Sequence, residues 1–155
     1  MADSQNMMKW PLIAAALLVV LRIPLELAGA PGAVTNLFGV AWLYFLVPVY
    51  FGFKIAQGVD GSRFGVLFRK LLTFNFLTRL MVMPTYWLAF ALGWSAPRFA
   101  LQNGGVVGDG VSPFEGLLVV PVRNLILWTV LATVVGMIIG SVVLAVKNRS
   151  AAATG

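Results

Sequence analysis

Four charged residues stand inside or at the borders of long apolar runs: Arg22, Glu26, Arg79 and Arg123. A guanidinium presents a planar fork of N–H donors suited to carboxylate, phosphate and other oxyanions. A lone carboxylate is instead the group that would carry a proton or hold a cation. Three arginines with only Glu26 as a nearby acid therefore favour an anion as the chemical partner.

Arg79, within LLTFNFLTRLMVMPTYW, is the least expected of these. Nine residues separate it from Lys70, about 13 Å along a helix rising 1.5 Å per residue. That is close to the middle of a bilayer, where insertion of an arginine costs about 2.5–3.5 kcal/mol. At 100 degrees per residue, Asn75, Arg79 and Tyr86 fall within about 40 degrees of one another, forming one polar stripe that should face other helices or a wet cavity. Two roles stand open: a structural arginine bonded to carbonyls freed near Pro84 or snorkelling toward the interface, and a residue of a ligand or ion pathway.

Arg22 and Glu26, in LRIPLEL, are four residues apart on one helical face, where a pair contributes only about 0.2–0.5 kcal/mol but neutralises two charges locally. Glu26 is also the candidate protonatable group should the protein move protons or cations. In PVRNLILW, Arg123 and Asn124 precede a further apolar stretch long enough to span a bilayer. Arg123 is thus expected at an interface, as an anchor or, with Arg22, Glu26, Thr35 and Asn36, as part of a polar vestibule. Below it Ala132, Gly136 and Gly140 recur every four residues, a small-residue seam that lets two helices approach closely, either within the chain or between copies.

These residues need helices to hold them. The apolar runs predict four transmembrane segments, at about 10–27, 34–53, 71–94 and 117–146, too long for strands and lacking the alternation of a lipid-facing barrel. The chain reads as an all-α membrane protein, a single integral membrane domain covering 1–155. With 60% of 155 residues hydrophobic, 10% charged and a mean hydropathy of +0.93, the composition lies far from a soluble domain. Pro48 and Pro84, inside their helices, should bend them. AGAPGA makes the first two segments a tight hairpin. Lys9, an apolar run and then Ala28, Gly29 and Ala30 also fit a cleavable signal peptide, although the run continuing to Leu27 favours a retained helix.

Lysine and arginine set the expected orientation. Lys9, Lys54, Arg63, Arg69, Lys70, Lys147 and Arg149 oppose only Asp3 and Asp60 on one side, +5. Arg22, Arg79, Arg98 and Arg123 oppose Glu26, Asp109 and Glu115 on the other, +1. The positive-inside rule places both termini in the cytoplasm, an N-in/C-in bundle of a prokaryotic cytoplasmic membrane. The same basic rim suits anionic lipid head groups rather than nucleic acid. Trp10 at one end, with Trp87, Trp94 and Trp128 toward the other, reads as an interfacial aromatic belt.

The chain contains no cysteine and no histidine. That excludes disulfides, thiolate nucleophiles, zinc sites of the usual nitrogen and sulfur kind, histidine-ligated haem and histidine bases. The five carboxylates, Asp3, Glu26, Asp60, Asp109 and Glu115, offer no pair on one helical face. No metal, cofactor or enzymatic activity is expected. GGVVGDG has neither the following Lys and Ser or Thr nor the preceding strand of a phosphate loop, so a flexible or re-entrant surface loop is expected there. The leading functional expectation is a small multipass protein that transports or binds a small or amphiphilic, anionic ligand. The second is a structural or accessory subunit of a larger membrane complex, or a homo-oligomer, packed through its polar stripe and glycine seam. The third is a lipid-modifying enzyme.

Overall fold

The computed structural model describes residues 2–58, 62–94 and 96–153, with side chains for 7–58, 62–94 and 96–149. Asp60 and the side chain of Asp3, counted in the charge asymmetry, lie outside the described residues. Among the described residues the chain is all-helical and contains no β-strand, only an isolated bridge between Ala100 and Val107. The main helices are α1 (Ala2–Leu27), α2 (Gly32–Leu37), α3 (Leu43–Ala56), α4 (Arg63–Leu92) and α5 (Val120–Ala153).

Three stretches are long and apolar enough to cross a membrane: Met7–Leu27, Gly32–Ala56 and Glu115–Arg149. Of the four segments expected, the third has the length, 30 residues in α4, but Arg63, Arg69, Lys70, Asn75 and Arg79 interrupt its apolarity. The second segment is not one continuous helix. It breaks at Phe38 and Gly39, resumes as a 3-10 turn over Val40–Trp42 and only then becomes α3. Gly39 is needed at this break. A Cβ there would stand 3.0 Å from the Asn36 carbonyl oxygen and 3.1 Å from Nη1 of Arg22, so any side chain would push the guanidinium away. The Asn36 carbonyl accepts from the Gly39 amide at 3.0 Å and from Trp42 Nε1 at 3.3 Å.

Local signals explain the other boundaries. Gly29 at φ 70° and Gly93 at φ 60° supply the left-handed residues that end α1 and α4. Ser62 caps α4 by accepting from the Gly65 amide. The last segment opens with a reciprocal capping box, in which Ser112 Oγ accepts from the Glu115 amide at 3.2 Å and Glu115 Oε2 accepts from the Ser112 amide at 3.1 Å. A π-helical turn over Glu115–Val119 follows and leads into α5. Trp87 Nε1 satisfies the Leu117 carbonyl of that turn at 2.8 Å.

The helices run up, down, up, down. Met7 early in α1, Ile55 late in α3, Leu67 early in α4 and Leu144 late in α5 share one buried cluster. Tyr44, Tyr86, Ala89 and Val120 share another at the opposite end, closed over by Trp94, Phe99 and Val106 of the α4–α5 loop. Between the two clusters α4 carries a buried polar layer of Asn75, Thr78 and Arg79. α5 packs along both α3 and α4, while α1 packs mainly on α4 and leaves most of its surface outside.

Close approach of α5 follows from its small residues. A Cβ at Gly136 would meet Pro48 and Leu71 at 3.1–3.2 Å, and one at Gly140 would meet Leu67 at 2.8 Å and the Pro48 carbonyl oxygen at 3.3 Å. Ala132 is buried in the same line. This seam is filled by α3 and α4 of the same chain. The opposite face of α5, with Ile126, Val130, Val134, Ile138 and Val142, is exposed and wholly apolar, as a lipid-facing surface must be.

Candidate functional site

The polar layer of α4 borders a cavity of about 260 Å³ at the loop end of the bundle. Five elements wall it. α1 contributes Leu18, Val19 and Arg22, the broken second segment Phe38, Val40 and Ala41, and α4 Arg79, Val82 and Tyr86. The α4–α5 loop adds Arg98 and Asn103, and α5 adds Asn124 and Trp128. α1 and α5 do not pack along each other, and the loop and the break after α2 both contribute to the wall at this end.

Arg79 is held by aromatic faces rather than by a carboxylate. Its guanidinium carbon lies 4.9 Å from the Trp128 ring centroid and 5.2 Å from that of Tyr44. Such a sandwich stabilises a desolvated cation by about 2 kcal/mol or more and leaves the N–H edges unused. Nε of Arg79 is buried without a hydrogen-bond partner, as is the hydroxyl of Tyr44, a residue only 5% exposed. Among the described residues no acid pairs with Arg79. Nothing among the described residues accepts a hydrogen bond from this Nε.

The other two arginines share one acid. Glu26, with its side chain 3% exposed, accepts from Arg22 Nε at 2.6 Å and from Arg98 Nη2 at 2.9 Å, with Arg98 Nε also within 3.1 Å. Arg98 lies over the Phe99 ring at 4.2 Å. Burial pulls the Arg98 guanidinium below its ordinary value and Glu26 raises it again; an arginine remains a cation at neutral pH. The cavity thus carries three guanidiniums against one carboxylate.

The structure brings Arg22, Arg79, Tyr86 and Asn124 to this cavity, with Glu26 bound to two of its arginines, and leaves Thr35, Asn36, Asn75 and Arg123 out of its wall. Asn75, one turn before Arg79, donates to Thr133 Oγ1 of α5 at 3.0 Å, and Thr133 passes the bond to the Thr129 carbonyl at 2.7 Å. It ties two helices together below the cavity. Arg123 is exposed and donates to the Gly104 carbonyl at 3.2 Å. A step of one residue rotates the side chain by about 100 degrees, so Asn124 turns inward while Arg123 turns onto the loop. Ala132, Gly136 and Gly140 serve packing, as described above.

Arg98, Tyr44 and Trp128 are functional candidates that sequence reasoning missed. Arg98 had been counted only as a loop charge, and Trp128 only as part of the aromatic belt. The available signal was the loop itself. Trp94, Phe99 and Val106 are too apolar to lie in water, and they fold back to bury the stretch, with Phe99 and Val106 wholly inaccessible. The loop is accordingly compact rather than loose. The amides of Val106 and Val107 both bond to the Phe99 carbonyl at 2.8 Å, and a Cβ at Gly105 would overlap the Phe99 backbone at 2.1 Å.

Fold and site together define a helical bundle with membrane-compatible apolar surfaces and a cationic cavity at one end. No protein-family model, curated protein or solved structure matches the chain.

Proposed function

We propose that the chain is a four-helix integral membrane protein of a prokaryotic cytoplasmic membrane, with both termini cytoplasmic, and that it binds or transports a small anionic ligand through the cavity at Arg79. The observation that carries this reading is the charge imbalance: Arg22, Arg79 and Arg98 line one cavity, and only Glu26 opposes them. Arg79 is half-buried between Tyr44 and Trp128, and its buried Nε has a donor to offer and no acceptor.

The distribution of polar side chains supports counting α4 as the fourth span. Asn75, Thr78, Thr85 and Tyr86 are buried against neighbouring helices, whereas Phe68, Leu72, Phe76, Leu80, Leu88 and Leu92 form its exposed surface. Most of the polarity of the α4 stretch from Phe74 to Leu92 thus faces inward, while Arg69 and Thr73 are exposed nearer its start. The accessory-subunit reading keeps the polar stripe but not the glycine seam as its support, since Pro48, Leu67 and Leu71 of the same chain pack on that seam.

Thermal unfolding of the purified protein in neutral detergent tests the reading. Nitrate, sulfate, methyl phosphate and oleate are added at constant ionic strength to wild type and to Arg79→Gln. Stabilisation of wild type by at least one of these anions, lost in a variant whose own melting is unchanged, is the expected result. Indifference of the wild-type melt to all of them would overturn the proposal.

A further inference from the structure

We infer that the cavity is matched to a compact, doubly charged oxyanion of the sulfate or phosphate-monoester type, carried either by a soluble ion or by the head group of a lipid. This inference rests on the anion-binding reading of the same cavity and assigns the ligand's charge and shape.

Charge comes first. Arg22, Arg79 and Arg98 contribute three positive charges and Glu26 one negative, leaving +2 to be neutralised in a partly open pocket whose arginines are half-buried. A monoanion would leave one half-buried positive charge without a partner, an arrangement that costs more the less water reaches it. A dianion closes the balance.

Donor geometry comes second. Glu26 engages Nε of Arg22 and the Nε and Nη2 edge of Arg98. Arg22 keeps its Nη groups, of which Nη1 reaches the backbone at Gly39. Arg98 keeps Nη1. Arg79, stacked between two rings, keeps its whole N–H edge. Donors from three directions fit a tetrahedral oxyanion, whose oxygens diverge, better than a planar carboxylate. Neutral donors from Asn103 and Asn124 complete the wall.

Size comes third. A volume of about 260 Å³ is below the roughly 300–1,000 Å³ of sites that enclose drug-sized ligands. The cavity therefore takes a small ion or one head group. Leu18, Val19, Phe38 and Val82 form an apolar wall beside the arginines, where an alkyl chain could lie.

Dissociation constants for sulfate, methyl phosphate, nitrate and dodecyl phosphate, measured on the full chain in neutral detergent at fixed ionic strength, test the match. Sulfate and methyl phosphate should bind at least about 30-fold more tightly than nitrate at pH 7.5, the lower end of the cost of leaving one partner of a buried charged pair unmatched. The dianion of a phosphate monoester takes up a proton and becomes a monoanion near pH 6. Methyl phosphate should therefore weaken about tenfold between about pH 7.5 and about pH 5, while sulfate, a dianion throughout, holds its affinity. Sulfate also controls for the protein groups around the cavity, namely Glu26 beside Arg22 and Arg98, Tyr86 in the wall and Tyr44 against Arg79, since their protonation would affect both ions alike.

Dodecyl phosphate binding much more tightly than methyl phosphate assigns the head group of a lipid, and equal binding assigns a soluble ion; either supports the dianion match. Arg79→Gln should lose sulfate binding by about 30-fold or more. If that variant does not fold, Arg79→Lys, which keeps the charge but not the fork, should fold and bind sulfate more weakly than wild type. Nitrate binding as tightly as sulfate, or methyl phosphate affinity indifferent to pH, would overturn the inference while leaving an anion site in place. Absence of binding by every anion would remove the anion-binding reading and this inference together.

Discussion

Glu26 and Arg98, 72 residues apart in sequence, meet at 2.9 Å at the end of α1. This contact fastens the α4–α5 loop over the cavity, and Arg22 on the other side of the same carboxylate ties it to the helix. Loop closure and the charge of the cavity therefore depend on one acid.

Replacing Glu26 with Gln should destabilise the protein by about 2–3 kcal/mol. That is less than the 3–5 kcal/mol typical of breaking a fully buried pair, because Arg22 and Arg98 each keep roughly a fifth of their side-chain surface accessible. Chemical unfolding in detergent measures it. In a double-mutant cycle Glu26→Gln and Arg98→Gln should be clearly less than additive, and additive losses would mean the two residues act independently.

Gly140→Leu should lower stability by about 1–3 kcal/mol, the cost of overpacking a close contact, since even a Cβ there meets Leu67 at 2.8 Å. Val142→Leu, on the exposed face two residues along, should leave the melting temperature nearly unchanged. A similar response of both variants would show that Gly140 is not at a helix crossing.

Thr133→Val removes the acceptor of Asn75 and should cost about 0.6–1.7 kcal/mol, the range measured for interhelical hydrogen bonds between membrane helices. Anion affinity should stay within about twofold of wild type, since the pair lies one turn away from the cavity. A drop in affinity as large as that of Arg79→Gln would place Asn75 in the ligand site after all.

The orientation can be read with reporter fusions. A reporter at the C-terminus and one inserted at Asn103 should lie on opposite sides of the membrane, with the C-terminus cytoplasmic. Equal sidedness would be incompatible with four spans.

Arg123→Ala should loosen the loop without discharging the cavity. Its guanidinium holds only the Gly104 carbonyl, at 3.2 Å on the exposed side. The expected signature is faster amide exchange at the amides of Gly104 and Gly105 with anion affinity within about twofold of wild type, as befits a surface contact of less than about 1 kcal/mol.

Much of the helical architecture was legible in the chain. Apolar runs of this length must be helical wherever backbone groups have no water to bond, so α1, α3 and α5 follow from hydropathy alone. The spacing of Ala132, Gly136 and Gly140 marked one face for close approach, although spacing is silent about what fills the seam. Proximity of Arg22 to Glu26 followed from a four-residue step on one helix. Arg79 was conspicuous because a cation in an apolar run always needs a reason.

Tertiary packing decided the rest. Nothing local distinguishes Arg98 from any loop arginine; it reaches Glu26 because Trp94, Phe99 and Val106 sink into the end of the bundle and carry the loop with them. Tyr44 and Trp128 meet Arg79 from two other helices, at a height fixed by how α3 and α5 slide past α4. Asn75 stays on the inner face of α4 but bonds to Thr133 instead of lining the cavity, and the second segment breaks at Gly39, close beside Arg22. Composition and period fix which residues can be buried and on which face of their own helix, since both depend only on neighbours in the chain. Which charges meet depends on the relative rotation and offset of helices far apart in sequence, and only their packing sets those.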